Sequence, residues 1–125
     1  MEINKISEIV IGCALKVHSV LGPGLLENVY EICLYEELKS TGLKIERQKY
    51  LPVVYKDIKL DASFRIDLMI EDQLIVELKA VETIHPIFMA QIMTYLKLSK
   101  CKIGLLINFN EKWLKDGIKR VIFDH

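Results

Sequence analysis

Phe64-Arg65-Ile66-Asp67-Leu68-Met69-Ile70 and, after the polar turn Glu71-Asp72-Gln73, Leu74-Ile75-Val76-Glu77-Leu78-Lys79-Ala80 decide the architecture. Phe64, Ile66, Leu68 and Ile70 share one parity, as do Leu74, Val76 and Leu78 on the return. Side chains alternate across a strand, so these residues are expected to line one buried face of an antiparallel hairpin, residues 59–70 and 73–80. The polar positions then fall on the other face. With residues 71–73 as the turn, Asp67 lies opposite Glu77, at a Cβ separation of about 4.5–5.5 Å. Lys79, two residues beyond Glu77, projects from the same face.

The rest of the chain supplies layers for this hairpin. Ile6, Val10, Cys13, Val17 and Leu21 recur at helical spacing, which predicts an amphipathic helix over residues 5–20. Gly22-Pro23-Gly24 stops it. A second helix is expected over residues 25–40, with Tyr30, Leu34 and Leu38 inward and Gly42 as its C-terminal signal. Residues 44–55 read as a strand, and Pro52 within it marks an edge or a bulge. Pro86 suits the first turn of a third helix reaching residue 98. Lys102–Phe109 is a short, almost continuous apolar run, suited to a central strand. A helical turn at 113–115 and a last strand at 118–123 complete the order ααβββαββ. The fold class is α/β, a central mixed sheet flanked by helices, and the expected organisation is one domain over residues 1–125.

Composition narrows the function classes. Apolar residues make up 51% of the 125 and charged residues 27%, which fits a globular core and not a disordered segment. Seventeen basic and seventeen acidic side chains give a formal net charge of zero, so no global field marks a nucleic-acid binder. Charge is nevertheless unevenly spread. Residues 97–120 hold Lys97, Lys100, Lys102, Lys112, Lys115, Lys119 and Arg120 against Glu111 and Asp116. No apolar run approaches the roughly 20 residues needed to cross a bilayer, and the N-terminus does not read as a secretory signal. Cys13, Cys33 and Cys101 have no zinc or Cys-x-x-Cys spacing. They are expected to be buried thiols, in keeping with a cytoplasmic location.

Two opposed carboxylates and a lysine on one strand face carry the chemistry. On a solvated hairpin they form nothing more than an exposed ion pair, which contributes little. As a site, their oxygens suit a hard cation, Mg2+ or Mn2+. Such a cation polarises a phosphoryl oxygen and lowers the pKa of a water, and an adjacent lysine offsets developing charge. Gln91 and Tyr95, four apart on the third helix, share a face able to reach the carboxylates. Glu27, after the glycine turn, offers a further oxygen. His18 and His85 are expected in structural roles at helix ends. Arg65 and Lys97 are candidates for phosphate contact.

Gly24-Leu25-Leu26-Glu27-Asn28-Val29-Tyr30 resembles the signature of the GxxExxY protein family, assigned to the PD-(D/E)XK nuclease superfamily. The likeness extends through Val17–Gly24, Phe64–Leu68, Val76–Ala80, Ala90–Lys97 and Gly104–Phe109. It implies a restriction-endonuclease-like core. Asp67 and Glu77 would be metal ligands, joined by the helical acid Glu27, and Lys79 the catalytic lysine. Gln91 and Tyr95 would match the Q-x-x-x-Y helix of RecB- and Cas4-type nucleases. The superfamily's proline before the aspartate is replaced by Ile66. The function implied is metal-dependent phosphodiester hydrolysis, on DNA more than RNA. The alternative is a catalytically inactive nucleic-acid-binding or protein-interaction module of the same fold. A chain this small has little room for its own recognition domain, so a homodimer or a protein partner is also an expectation.

Overall fold

A computed structural model describes all 125 residues. Helix α1 spans Ile3–Leu21, and the Glu2 carboxylate accepts from the Asn4 N–H at 2.8 Å to cap it. It stops at Gly22, whose φ of 69° is the left-handed conformation that glycine adopts without strain. Helix α2 spans Glu27–Lys39. It starts two residues later than the sequence predicts, because Leu26 has extended backbone (φ −70°, ψ 148°) and serves as the N-cap, while the Leu25 N–H bonds the Tyr30 hydroxyl in the turn before it. Helix α3 spans Pro86–Ser99, and His85 Nδ1 accepts from the Ile87 N–H at 3.1 Å at its start. No helix is long and apolar enough to cross a membrane.

The strands are β1 (Ile45–Tyr55), β2 (Ile58–Ile70), β3 (Leu74–Lys79), β4 (Ile103–Asn108) and β5 (Ile118–Ile122). They lie in one sheet in the order β1-β2-β3-β4-β5. β3 and β4 are parallel, joined through α3, and the other pairs are antiparallel. β4 is buried along its whole length, as its apolar run requires. β1 is an edge strand, and its register shifts between Pro52 and Val54. A 3-10 turn at Leu114–Gly117 precedes β5. Cys13 and Cys101 are buried and Cys33 is half-buried, all three as free thiols.

α1 and α2 cover one face of the sheet and α3 the other. Leu68, Ile70, Leu74, Val76 and Leu78 pack with α1, α2 and β4 in the larger core. Ile75, Met69, Ile92 and Leu96 form the smaller core beneath α3. The expectation that Phe64 and Ile66 share the face of Leu68 does not hold: both pack on the α3 side. The change of face coincides with Gln48, which has φ 53° and stands in β1 between the pairs Arg47↔Leu68 and Lys49↔Ile66. An irregular residue of this kind re-aims the side chains that follow.

β3 pairs only with residues 68–70 of β2. Residues 50–65 therefore pair with one another alone and leave the sheet as a two-stranded arm. α3 is set against β4 through Gly104, where an added Cβ would meet Ile92 Cδ1 at 2.8 Å. Gly104→Leu is expected to lower stability by about 1–3 kcal/mol through overpacking, seen as an earlier urea midpoint at unchanged slope.

Candidate active site

The local reason for the site is the point at which β2 and β3 part. Their ladder ends at Leu68↔Val76. Beyond it the backbone groups would be orphaned, and a buried N–H without a partner is costly. Instead the Asp67 N–H donates to Glu77 Oε2 at 2.8 Å, and the Leu78 N–H donates to Asp67 Oδ2 at 2.9 Å. Each carboxylate thus holds the opposite strand with one oxygen. Asp67 Oδ1 and Glu77 Oε1 lie outside these backbone bonds. Only 9% of Asp67 and 6% of Glu77 is exposed.

A cavity of about 450 Å³ opens over this pair. Glu27, Asp67, Glu77, Lys79, Gln91 and Tyr95 all line it, so the fold brings together the six residues expected to carry the chemistry. Four elements contribute. Glu27 is the first residue of α2, Asp67 lies on β2, Glu77 and Lys79 on β3, and Gln91 and Tyr95 on α3. The cavity also has walls that sequence reasoning left out of the site, Tyr50, Ser63 and Phe64, and it takes in Arg65, a candidate for phosphate contact, but not Lys97, the other. Phe64 stacks on Tyr95 with ring centroids 4.8 Å apart, which fixes that tyrosine from the arm side. Lys79 Nζ sits 4.4 Å from the Phe88 ring centroid, a cation–π contact that holds the ammonium at the α3 side of the cavity.

Burial and mutual repulsion dominate the electrostatics. Glu77 is pushed up to about 8, first by burial and then by the Asp67 carboxylate; the Asp67 N–H and Lys79 oppose this in part. Asp67 is also raised by burial, against the Leu78 N–H, Lys79 and Arg65. Glu27 is raised by burial, with Lys79 pulling the other way. The pair therefore favours keeping a proton on Glu77 when no cation is near. Its all-oxygen donor set and the repulsion within it fit a hard divalent cation, which would replace that proton. Glu27 borders the same cavity, but no group of three His, Cys, Asp or Glu side chains converges into a preformed metal cluster.

Supporting residues orient these side chains. The Tyr30 hydroxyl donates to Gly22 O at 2.6 Å and accepts from the Leu25 N–H, and its ring stacks on Phe109 at 4.7 Å. This ties down the loop that delivers Glu27. Asn110 Oδ1 accepts from the Gly24 N–H in the same loop, and His18 Nε2 contacts Glu111 O at 2.7 Å. Asn108, fully buried, donates to Val81 O and accepts from the Val81 N–H, while the Phe109 N–H donates to Lys79 O at 2.8 Å. The main chain around Lys79 is pinned on both sides. Glu31, 4% exposed, accepts from Arg47 Nε at 2.7 Å and from the Gln48 amide, and so anchors the irregular residue of β1 to α2. Tyr30 and Asn108 had a signal in sequence, a polar atom at a core position, but Glu31 and Gln48 had none.

A carboxyl group raised on folding holds its proton in the folded state after the unfolded chain has lost it. For Glu77 this spans pH 4.5 to about 8, where the folded state binds more protons. Stability without divalent cations is therefore expected to fall as pH rises across that range. Glu77→Gln, neutral throughout, is expected to flatten the fall, checked by urea unfolding at a series of pH values in EDTA.

Residues 4–121 match the family model described as the PD-(D/E)XK nuclease superfamily. No curated protein and no solved structure matches the chain. The five-stranded mixed sheet with helices on both faces is the restriction-endonuclease-like arrangement, and with nearly the whole sequence matched, the chain belongs to the PD-(D/E)XK nuclease superfamily.

Proposed function

We propose that the chain is a metal-dependent phosphodiesterase of the GxxExxY type, acting in the cytoplasm on DNA in preference to RNA. The observation that carries this reading is the buried Asp67–Glu77 pair: each acid is fixed by a backbone N–H of the other strand, at the floor of a cavity that Lys79 also lines. Asp67 and Glu77 would hold Mg2+ or Mn2+, with Glu27 offering a third oxygen from α2. When bound, the cation supplies Lewis-acid polarisation of a phosphoryl oxygen and a more acidic water. Lys79, held at the cavity wall by the Phe88 ring, offsets the charge that develops on the phosphate oxygens. Gln91 and Tyr95 border the same position with an amide and a phenol, and orient the scissile group. The stack of Phe64 on Tyr95 and the pinned backbone at Lys79 keep this geometry without reorganisation at the moment of reaction.

In a cleavage assay with Mg2+ or Mn2+, Glu77→Gln and Lys79→Ala are each expected to lose about 100-fold or more of the activity while keeping the fold. Full activity in both folded variants would overturn the assignment. A second readout does not depend on turnover. Mg2+ is expected to raise the melting temperature of the natural sequence at pH 8 and to leave that of Glu77→Gln unchanged, because only the ionised pair gains from the cation.

A further inference from the structure

Two depressions lie along α3. The catalytic cavity is bordered by Gln91 and Tyr95. A second cavity, of about 410 Å³, is lined by Pro52, Val54, Lys97, Leu98 and Lys100. Gln91, Tyr95 and Leu98 are spaced four and three apart, so they form one stripe of the helix surface running from the first cavity to the second. The arm provides the matching wall. Ser63 borders the catalytic cavity, and its cross-strand partner Pro52 borders the second. The two cavities therefore lie in succession between the arm and α3, and together they make a groove for a bound strand to follow. From Gln91 to Lys100 it follows about 13 Å of helix axis.

Beyond the acids at the catalytic end, exposed cations stand at both ends of this groove. Lys97 and Lys100 are exposed at its far end, and no acid lines that cavity. Arg65 stands exposed at the near end, directly opposite Tyr50 in the β1–β2 register. Tyr50 is 64% exposed at the cavity edge, an aromatic side chain within reach of an incoming base. Basic groups that follow a strand, combined with an open aromatic ring, are the features of a single-strand platform. A duplex presents its bases stacked inside and gives an exposed tyrosine nothing to stack on. The carboxylates at the floor of the cavity are more than nine-tenths buried, which suits an unpaired strand able to bend into it.

We infer that the arm–α3 groove binds a single strand of DNA and leads it into the catalytic cavity, with Arg65, Lys97 and Lys100 on phosphates and Tyr50 stacked on a base. This rests on the function proposed above and names its substrate class. The test is binding without turnover: fluorescence anisotropy of a labelled single-stranded oligodeoxynucleotide, its duplex and the RNA of the same sequence, in EDTA, between about 50 and 200 mM salt.

The single DNA strand is expected to bind most tightly. Lys97→Ala/Lys100→Ala is expected to reduce the slope of log affinity against log salt by about 1.4, at roughly 0.7 per phosphate contact on a single strand. Tyr50→Ala is expected to weaken binding about tenfold with the slope unchanged, because a stacked base carries no counterion. Lys115→Ala/Lys119→Ala removes the same charge elsewhere and is expected to leave the slope as it was. Tighter binding of duplex or RNA, equal effects of the two double variants, or no binding of any strand overturns the inference. Cleavage with Mg2+ is read separately. Duplex cleavage unaffected by the groove variants would leave the proposed function standing without the groove, and strand binding without cleavage would do the reverse.

Discussion

Where β2 and β3 separate, two backbone N–H groups lose their ladder partners and the Asp67 and Glu77 carboxylates take their place. The rest of the molecule depends on this exchange. It closes the hydrogen-bond account of a buried strand end and, in the same act, fixes two acids that repel each other. Burial raises both groups, and proximity raises Glu77 further. A site with excess negative charge is thus built from the same bonds that complete the sheet, and its repulsion is relieved by a proton or a cation.

Around that pair the fold is arranged as supports. α2 brings Glu27 because Tyr30 ties its own hydroxyl to the preceding turn. β4 holds the Lys79 main chain through Asn108 and Phe109. α3 lies close on Gly104, so that Gln91 and Tyr95 reach over the sheet. The two helical layers therefore meet the site from opposite faces, and neither alone completes it.

Much of this was legible in the sequence because it rests on period and parity. The hairpin register that placed Asp67 against Glu77 continues the ladder found at 68–70 and 74–76. The helices followed from their apolar stripes and from Gly22 and Pro86. The face of Phe64 and Ile66 was not legible, since it turns on the backbone of Gln48, which no side-chain pattern announces. The late start of α2 was hidden for a similar reason: it lies in the extended backbone of Leu26, which apolar spacing does not announce. The cavity walls Tyr50, Ser63 and Phe64 were not legible because they belong to strands that leave the sheet, and alternation alone does not say where a strand ends its pairing.

The arm has a consequence for how such a domain can change over evolutionary time. Its strands bond only to each other, and its turn at Lys56-Asp57 lies beyond both cores. Residues added to or removed from its tip in matched pairs preserve the parity of everything nearer the sheet, and longer loops cost little chain entropy. The wall that borders the site can therefore be lengthened, recharged or replaced while the pair of acids and the strands that hold them stay in place. Catalytic geometry and the shape of what is admitted to it are inherited on separate parts of one hairpin.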